Sequence, residues 1–288
     1  MIEKLEIVTD GPKVRSRDRV RADRTDLLYK DIPEGAPLMK INGLHVVYKT
    51  DDTEIVAVED FTLDVKKGEL ISIVGPSGCG KTTILRCIAG LLQPTGGEIR
   101  MGDDECKAPG SNRGMVFQDF ALFPWRTVRK NVEFGMEIAG VPKEEREERA
   151  MKYIKAVGLE RFADSRVHEL SGGMKQRVGI ARAFVMHPAV TLMDEPFGAL
   201  DAQTRNIMQE QLNKIIEHSE RTIIFVTHSV DEALYLSDRV VILSKRPSSI
   251  FKIVDVPWER PRDRTSPEFI TTRKQILEYL EEQNVMDN

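Results

Sequence analysis

No apolar run in this 288-residue sequence approaches the roughly 18 residues needed to cross a bilayer, and the first six residues start no signal-peptide core. The chain is therefore expected to be soluble. Cysteine is scarce and odd in number. Cys79, Cys87 and Cys106 have neither CxxC nor His-paired metal spacing, which argues against a disulfide framework and for free thiols in a reducing cytosol. Excess charge of one sign is missing too: a net charge of −4 and a pI of about 5.9 give no reason to expect nucleic acid as the main partner. There is no internal repeat. What remains is ordinary globular material, with 41% hydrophobic residues to fill a core and 31% charged residues to cover it.

Residues 1–37 are charge-dense, with Arg15, Arg17, Arg19 and Arg21 offset by Asp18, Asp23 and Asp26. They read as a flexible or loosely docked extension, with a basic contact to lipid headgroups or a partner as the alternative. Globular patterning begins at Leu38. Residues 44–48 and 61–65 read as short strands of a hairpin-like layer. The run at 70–74 reads as a buried strand ending in Gly75. Helical spacing follows at 83–92. Residues 128–158 are dominated by Glu, Lys and Arg with apolar residues at helical spacing, as in an inserted helical subdomain. Strands are predicted again at 189–193, 222–226 and 240–243, separated by helical segments. That alternation points to an α/β fold with a mostly parallel sheet covered on both faces. Ser266, Pro267 and Glu268 open an amphipathic C-terminal helix carrying Phe269, Ile276, Leu277 and Leu280.

Four places carry chemistry. Gly75-Pro76-Ser77-Gly78-Cys79-Gly80-Lys81-Thr82 fits the G-x-x-x-x-G-K-[ST] phosphate loop, set between a strand and a helix that begins with Thr83. Its glycines turn backbone N–H groups inward on phosphates, Lys81 reaches the β and γ phosphates, and Thr82 ligates Mg²⁺. Mg-ATP binding and hydrolysis follow as the expected activity. Second, an apolar strand delivers Asp194 and Glu195 at the sheet edge where α/β folds bind ligands; Asp194 would hold Mg²⁺ through water and Glu195 would act as general base. Third, Gln118 and His228 follow other predicted strands. Gln118 is placed to touch the metal and the lytic water, His228 to hydrogen-bond the γ-phosphate. Taken alone, either is an ordinary polar cap. Fourth, Ser171 is a good N-cap for a helix whose first turn holds Gly172 and Gly173, a choice that costs stability relative to alanine. A helix N-terminus with bare glycine amides is an anion site. Since the first loop already takes the triphosphate, a second copy of the chain, with its own ATP, is the economical occupant.

This ordered set, together with Ala199-Leu200-Asp201, resembles the ATP-binding cassette (ABC) ATPases over residues 39–243. The resemblance implies a P-loop core with an antiparallel β layer and a helical subdomain inserted at about 119–177, in a domain of residues 38–265 followed by a C-terminal helix at 266–288. It also implies a head-to-tail dimer clamping two ATP molecules, a place for Asp201 at the dimer seam, and Tyr48 as the adenine-stacking aromatic; read alone, a strand tyrosine packs. Met174, Gly198 and Ser229 stand where glutamine, serine and aspartate are frequent, and none removes a catalytic group. Residues 123–128, Met174 and the stretch from Glu232 to Arg239 resemble the ATPases of nitrate/sulfonate/taurine-type importers, as do Arg246-Pro247 and Pro261-Arg262-Asp263-Arg264. That resemblance implies two membrane-spanning permease subunits, an indirect solute-binding protein and a peripheral place on the cytoplasmic face of the membrane. Other cargo (an aromatic acid, a vitamin precursor, bicarbonate) would leave the mechanism unchanged. A soluble ABC ATPase acting on ribosomes or DNA would carry two cassettes or a long coiled-coil insert, and neither is present. A small-molecule kinase would leave the Ser171 segment without a purpose. Residues 120–125, apolar and aromatic beside Gln118, read either as subdomain packing or as a docking groove for a permease helix.

Overall fold

The structure is a computed structural model that describes residues 29–33, 35–49, 53–217 and 221–285. Residues 1–28 of the charged extension lie outside the described residues. The part of the extension that is described is docked: Tyr29 is buried, its hydroxyl accepts from Asn112 at 3.0 Å, and Lys67 donates to the carbonyls of Lys30 and Ile32 at 3.0 Å each.

Strands β1 (Pro37–Lys49) and β2 (Glu54–Lys66) form a long antiparallel hairpin. The strands expected at 44–48 and 61–65 are only parts of it. Pro37 opens β1, where proline is tolerated as the first residue of a strand. Gly43, at φ +56, sits in a register shift between Ile41 and Leu44. After β3 (Leu70–Val74) and helix α1 (Lys81–Ile88), strand β4 (Gly96–Met101) pairs with β1 and with the two-residue β5 (Asp104–Glu105), completing the order β2-β1-β4-β5. Met39, Ile41, Leu44, Phe61, Leu63 and Ile84 are buried together between this layer and the sheet beneath it.

The second sheet starts from β6 (Arg113–Val116). From its edge the chain leaves for α2 (Val128–Ile138), α3 (Lys143–Ala156) and α4 (Gly172–Phe184), the inserted helices, before returning as β7 (Val190–Asp194). Helices α5 (Ala202–Glu217) and α6 (Val230–Leu236) then alternate with β8 (Thr222–Val226) and β9 (Arg239–Leu243), and β10 (Ile250–Asp255) closes the edge. The order is β10-β9-β3-β8-β7-β6, parallel except for β10. Every residue of β3, β7 and β8 is buried, as a sheet covered on both faces requires. Among the described residues no helix is long and apolar enough to cross a membrane.

The C-terminal helix α7 (Pro267–Val285) buries Phe269 and Ile276 against the core. Its approach is held by one guanidinium. Arg262, 6% exposed, donates to the carbonyls of Leu234, Ser237, Val256 and Trp258 at 2.6–3.1 Å. Burial brings its pKa down to about 10, so the charge is kept at neutral pH. Each buried acceptor left without a donor costs about 1–3 kcal/mol, so Arg262→Ala should lower stability by about 3 kcal/mol or more. Arg273→Ala breaks an exposed ion pair with Asp231 and should cost less than about 1 kcal/mol. Urea unfolding of both variants checks the contrast, and equal stabilities would contradict it.

Candidate functional site

The glycine loop lies between β3 and α1 and needs glycine at defined points. Gly80 has φ +110, and a Cβ there would lie 3.0 Å from the Ala57 carbonyl and 3.1 Å from Ser248 Oγ. At Gly75 a Cβ would meet Cys79 Sγ at 3.0 Å and Leu243 Cβ at 3.1 Å. The loop is thus squeezed between β2, the turn after β9, and its own buried thiol. Lys81 opens α1 and curls back so that Nζ donates to the Gly75 and Pro76 carbonyls, both at 2.8 Å. The first turn of α1 has no acidic side chain, which leaves the helix N-terminus free to attract an anion.

Thr82 and Asp194 meet at the floor. Thr82 Oγ1 donates to Asp194 Oδ1 at 3.0 Å, and Asp194 is 3% exposed. Burial raises the Asp194 carboxyl above its ordinary value, and the Thr82 hydrogen bond opposes the rise. A hydroxyl and a carboxylate are hard oxygen donors of the kind Mg²⁺ takes when it also binds substrate phosphates, so these two residues fit that ion. Among the described residues there is no group of three or more His, Cys, Asp and Glu that could hold a metal by itself.

Glu195 stands above them in a constrained place. Its φ is +47, uncommon for a non-glycine residue and a form of strain that gathers at functional sites. Its N–H donates to the Val226 carbonyl at 3.0 Å. One carboxylate oxygen accepts from Gln118 Nε2 at 3.1 Å, and the other lies 3.0 Å from His228 Nδ1. Residues following β6, β7 and β8 therefore converge on a single carboxylate. Ser77, Gly78, Gly80, Lys81, Thr82, Thr83, Gln118, Glu195 and His228 line one cleft. Tyr48 stands at its rim, with its hydroxyl 3.1 Å from Thr83 Oγ1 and its ring 40% exposed. That partly open ring can stack on a planar group.

Ser171, Gly172, Gly173 and Asp201 are not among the residues lining this cleft. Ser171 caps α4, accepting from the Met174 N–H at 3.3 Å. The two glycines differ in cause. A Cβ at Gly173 would approach Leu200 Cδ2 to 2.9 Å, so packing inside the chain explains it. A Cβ at Gly172 would meet only Phe120 Cζ, at an ordinary 3.9 Å, and Gly172 is exposed. Nothing among the described residues requires glycine there. Asp201 accepts from the Thr204 N–H at 2.9 Å at the start of α5, and hydrogen bonding from the Thr204 side chain, then from its N–H, holds the Asp201 carboxyl below the usual range.

The aromatic stretch after Gln118 splits in two. Phe123 is half-buried, its ring 4.4 Å from Phe134, with the Arg126 and Arg182 guanidiniums each 5.8 Å from its centre. Trp125 is 68% exposed. Packing holds the first, and the second faces solvent with its ring centre 5.7 Å from that of Phe123. The sequence did not single out Ser248, which closes over Gly80 from 168 residues away, because no local pattern reports such an approach.

Gly80→Ala should both destabilise the chain and cut its affinity for ATP at least tenfold, since about 1.4 kcal/mol lost from loop geometry is enough for that factor. Gly68 has a similar φ of +77 but nothing within 4 Å of a Cβ. Gly68→Ala should therefore cost only the left-handed backbone penalty of about 1–2 kcal/mol and leave ATP affinity unchanged. Titration calorimetry on the pair separates conformation from close approach.

Residues 58–198 match the family model for the ABC transporter. An uncharacterized ABC transporter ATP-binding protein of Methanocaldococcus jannaschii is 53% identical over 245 residues, 85% of this chain and 92% of that one. The nitrate import ATP-binding protein of Synechocystis sp. is 43% identical over 251 residues (84% and 94%), and the taurine import ATP-binding protein of Roseobacter denitrificans is 42% identical over 250 (84% and 93%). Among solved structures, a dimeric ATP-binding cassette in a post-hydrolysis state bound to ADP and Pi superposes with a TM-score of 0.71 at 33% identity, covering 77% of this chain and all of that one. With relatives this similar matched over more than nine-tenths of their length, the chain belongs to the ABC transporter family as an ATP-binding, ATP-hydrolysing cassette.

Proposed function

We propose that this chain energises an importer of a small anion such as nitrate, a sulfonate or taurine, working as a head-to-tail pair beneath two permease subunits on the cytoplasmic face of the membrane. The observation that carries the catalytic part is the Glu195 carboxylate, held between Gln118 and His228 beside the Thr82–Asp194 pair. Lys81 releases the Gly75 and Pro76 carbonyls to take the β and γ phosphates. Thr82, Asp194 and Gln118 would hold Mg²⁺, which supplies neutralising charge to the phosphates. Glu195 accepts the proton of the attacking water as general base, while Gln118 and His228 orient that water and the γ-phosphate. Tyr48 stacks on the adenine.

The second half of the site supports the pairing. Ser171, Gly172 and Gly173 form an exposed helix start, and nothing among the described residues requires glycine at Gly172. A second copy's ATP fits there, because helix N-termini bind phosphate oxygens, and Asp201 then lies at the seam. The dimeric state of the solved cassette and the nitrate and taurine named for the relatives are consistent with this reading.

Glu195→Gln should abolish turnover yet retain ATP binding and accumulate an ATP-bound dimer. Ser171→Arg should leave ATP binding by the monomer intact but prevent ATP-dependent dimerisation, and a mixed dimer of Ser171→Arg with Lys81→Ala should regain one working site. Wild-type turnover in Glu195→Gln would end the base assignment; equal loss of monomer affinity in Ser171→Arg and Lys81→Ala would end the trans arrangement.

Docking of the permease is assigned to the surface around Trp125. Trp125→Ala should leave the melting temperature of the isolated subunit within about 2 °C, as expected for a surface change within about 0.5 kcal/mol. It should also weaken pull-down by the permease, because exposed aromatics often dominate interfaces. Phe123→Ala should instead destabilise the subunit by about 1–3 kcal/mol.

A further inference from the structure

His228 is held in place less by its own contacts than by the residues on either side of it. Its side chain is 61% exposed, and among the described residues its contact is the one to Glu195. Thr227, just before it, is 2% exposed. The Thr227 hydroxyl donates to Glu232 Oε2 at 2.6 Å and accepts from the N–H of Ser229, just after His228, at 3.0 Å. The Ser229 hydroxyl in turn accepts from the Glu232 N–H at 3.3 Å, and the Thr227 N–H donates to the Ile73 carbonyl at 3.2 Å. One carboxylate, on the first turn of α6, thus anchors a closed ring of bonds around the histidine.

That carboxylate is costly to keep. Glu232 is 6% exposed, and burial pushes its carboxyl up, opposed by the Thr227 bond and by Arg205. A buried ion pair is weak grounds for stability by itself, and an apolar side chain would pack here without a desolvation cost. Arg205 Nε lies 3.6 Å from Glu232 Oε1, and the same guanidinium donates to the Leu200 carbonyl at 3.0 Å. The Arg205 N–H donates to the Asp201 carbonyl at 2.8 Å. Arg264, stacked 4.2 Å from the Tyr235 ring centre and bonded to Asn206, also contributes positive charge toward Glu232.

We infer that Glu232 is a positioning residue for ATP hydrolysis: through the Thr227 hydroxyl it fixes the backbone that aims His228 at Glu195, and through Arg205 it fastens that backbone to the Leu200-Asp201 turn. The inference rests on the role proposed above for His228 and adds to it the support that sets its position. Gln118 and His228 hold Glu195 from opposite oxygens, so a shift of His228 leaves the base held from one side only. Misplacement of about 1 Å costs up to ~100-fold in rate.

The test is a double-mutant cycle on the full-length subunit, with steady-state ATPase kinetics and thermal unfolding measured together. Thr227→Val and Glu232→Leu should each lower kcat about 10- to 100-fold, with little change in KM for ATP. Glu232→Gln keeps an acceptor for Thr227 and should recover most of the rate. In a His228→Ala background, Thr227→Val and Glu232→Leu should have no further effect, the non-additivity expected of groups acting as one unit. If the losses multiply with that of His228→Ala, or if Glu232→Gln is as damaging as Glu232→Leu, the positioning role is wrong. If Glu232→Leu does not fold, Thr227→Val completes the cycle from the other end of the same bond. A normal kcat in His228→Ala would remove the role of His228 and this inference with it; a low kcat there beside normal rates in Thr227→Val and Glu232→Leu would remove this inference alone.

Discussion

Parallel pairing in one register is the constraint on which the site depends. Val226 lies opposite both Ile73 and Asp194, Val116 opposite Met193, and Val74 opposite Ile242. Parallel strands end on the same side, so the residues that follow (Gly75, Gln118, Glu195, His228) come out along one edge without any long-range guidance of their own. A slip of one residue in any pair would turn the outgoing side chains to the opposite face. Because β3, β7 and β8 are buried on both faces, such a slip would disturb close packing in two layers at once. The core therefore sets the geometry of a site that contains almost none of it.

The Lys81 and Thr82 side chains both have partners within the chain. Lys81 is bonded to loop carbonyls, and Thr82 to a carboxylate that burial has made reluctant to ionise. On the proposed reading, Lys81 would exchange these carbonyls for phosphate oxygens, and Thr82 and Asp194 would turn to the metal. The fit at Gly80 is also tight. With Ala57 and Ser248 packed behind it, the backbone at Gly80 has little room to move.

Much of the fold and most of the cleft were legible in the sequence, and the legible parts share a property. The glycine loop, the Asp194-Glu195 pair and the Ser171 cap are local: strand, turn and helix signals lie within a dozen residues of the group they position. What was not legible comes from distant approach. Ser248 reaches the Ala57 carbonyl across 191 residues, and Tyr29 docks through Asn112 in a stretch whose composition reads as an extension. Phe123 and Trp125 are two residues apart and read as one apolar group, yet one packs on Phe134 while the other faces solvent. Burial is decided by partners, which spacing alone does not name. Glu232 illustrates the same limit. In the sequence it opens the stretch from Glu232 to Arg239, which carries a family resemblance but no role for this residue, and the 2.6 Å bond to Thr227 is what gives it one.

The two halves of the proposed site sit on elements with different loyalties. The phosphate loop, Asp194 and Glu195 belong to the parallel sheet. Ser171 and its glycines belong to the inserted helices, which the chain reaches from the edge strand β6 and leaves into β7. Gln118 stands at the junction, bonded to Glu195 on one side and leading into the stretch that ends at Trp125 on the other. Nucleotide held by both halves of a pair would tie sheet to helices across the seam, and loss of the γ-phosphate would untie them. A permease resting near Trp125 would then feel the state of the nucleotide through the few residues that separate it from Gln118. On this view the strain at Glu195 and the ring of bonds around His228 serve one end: they keep the base ready, so that the moment of hydrolysis is set by closure of the pair.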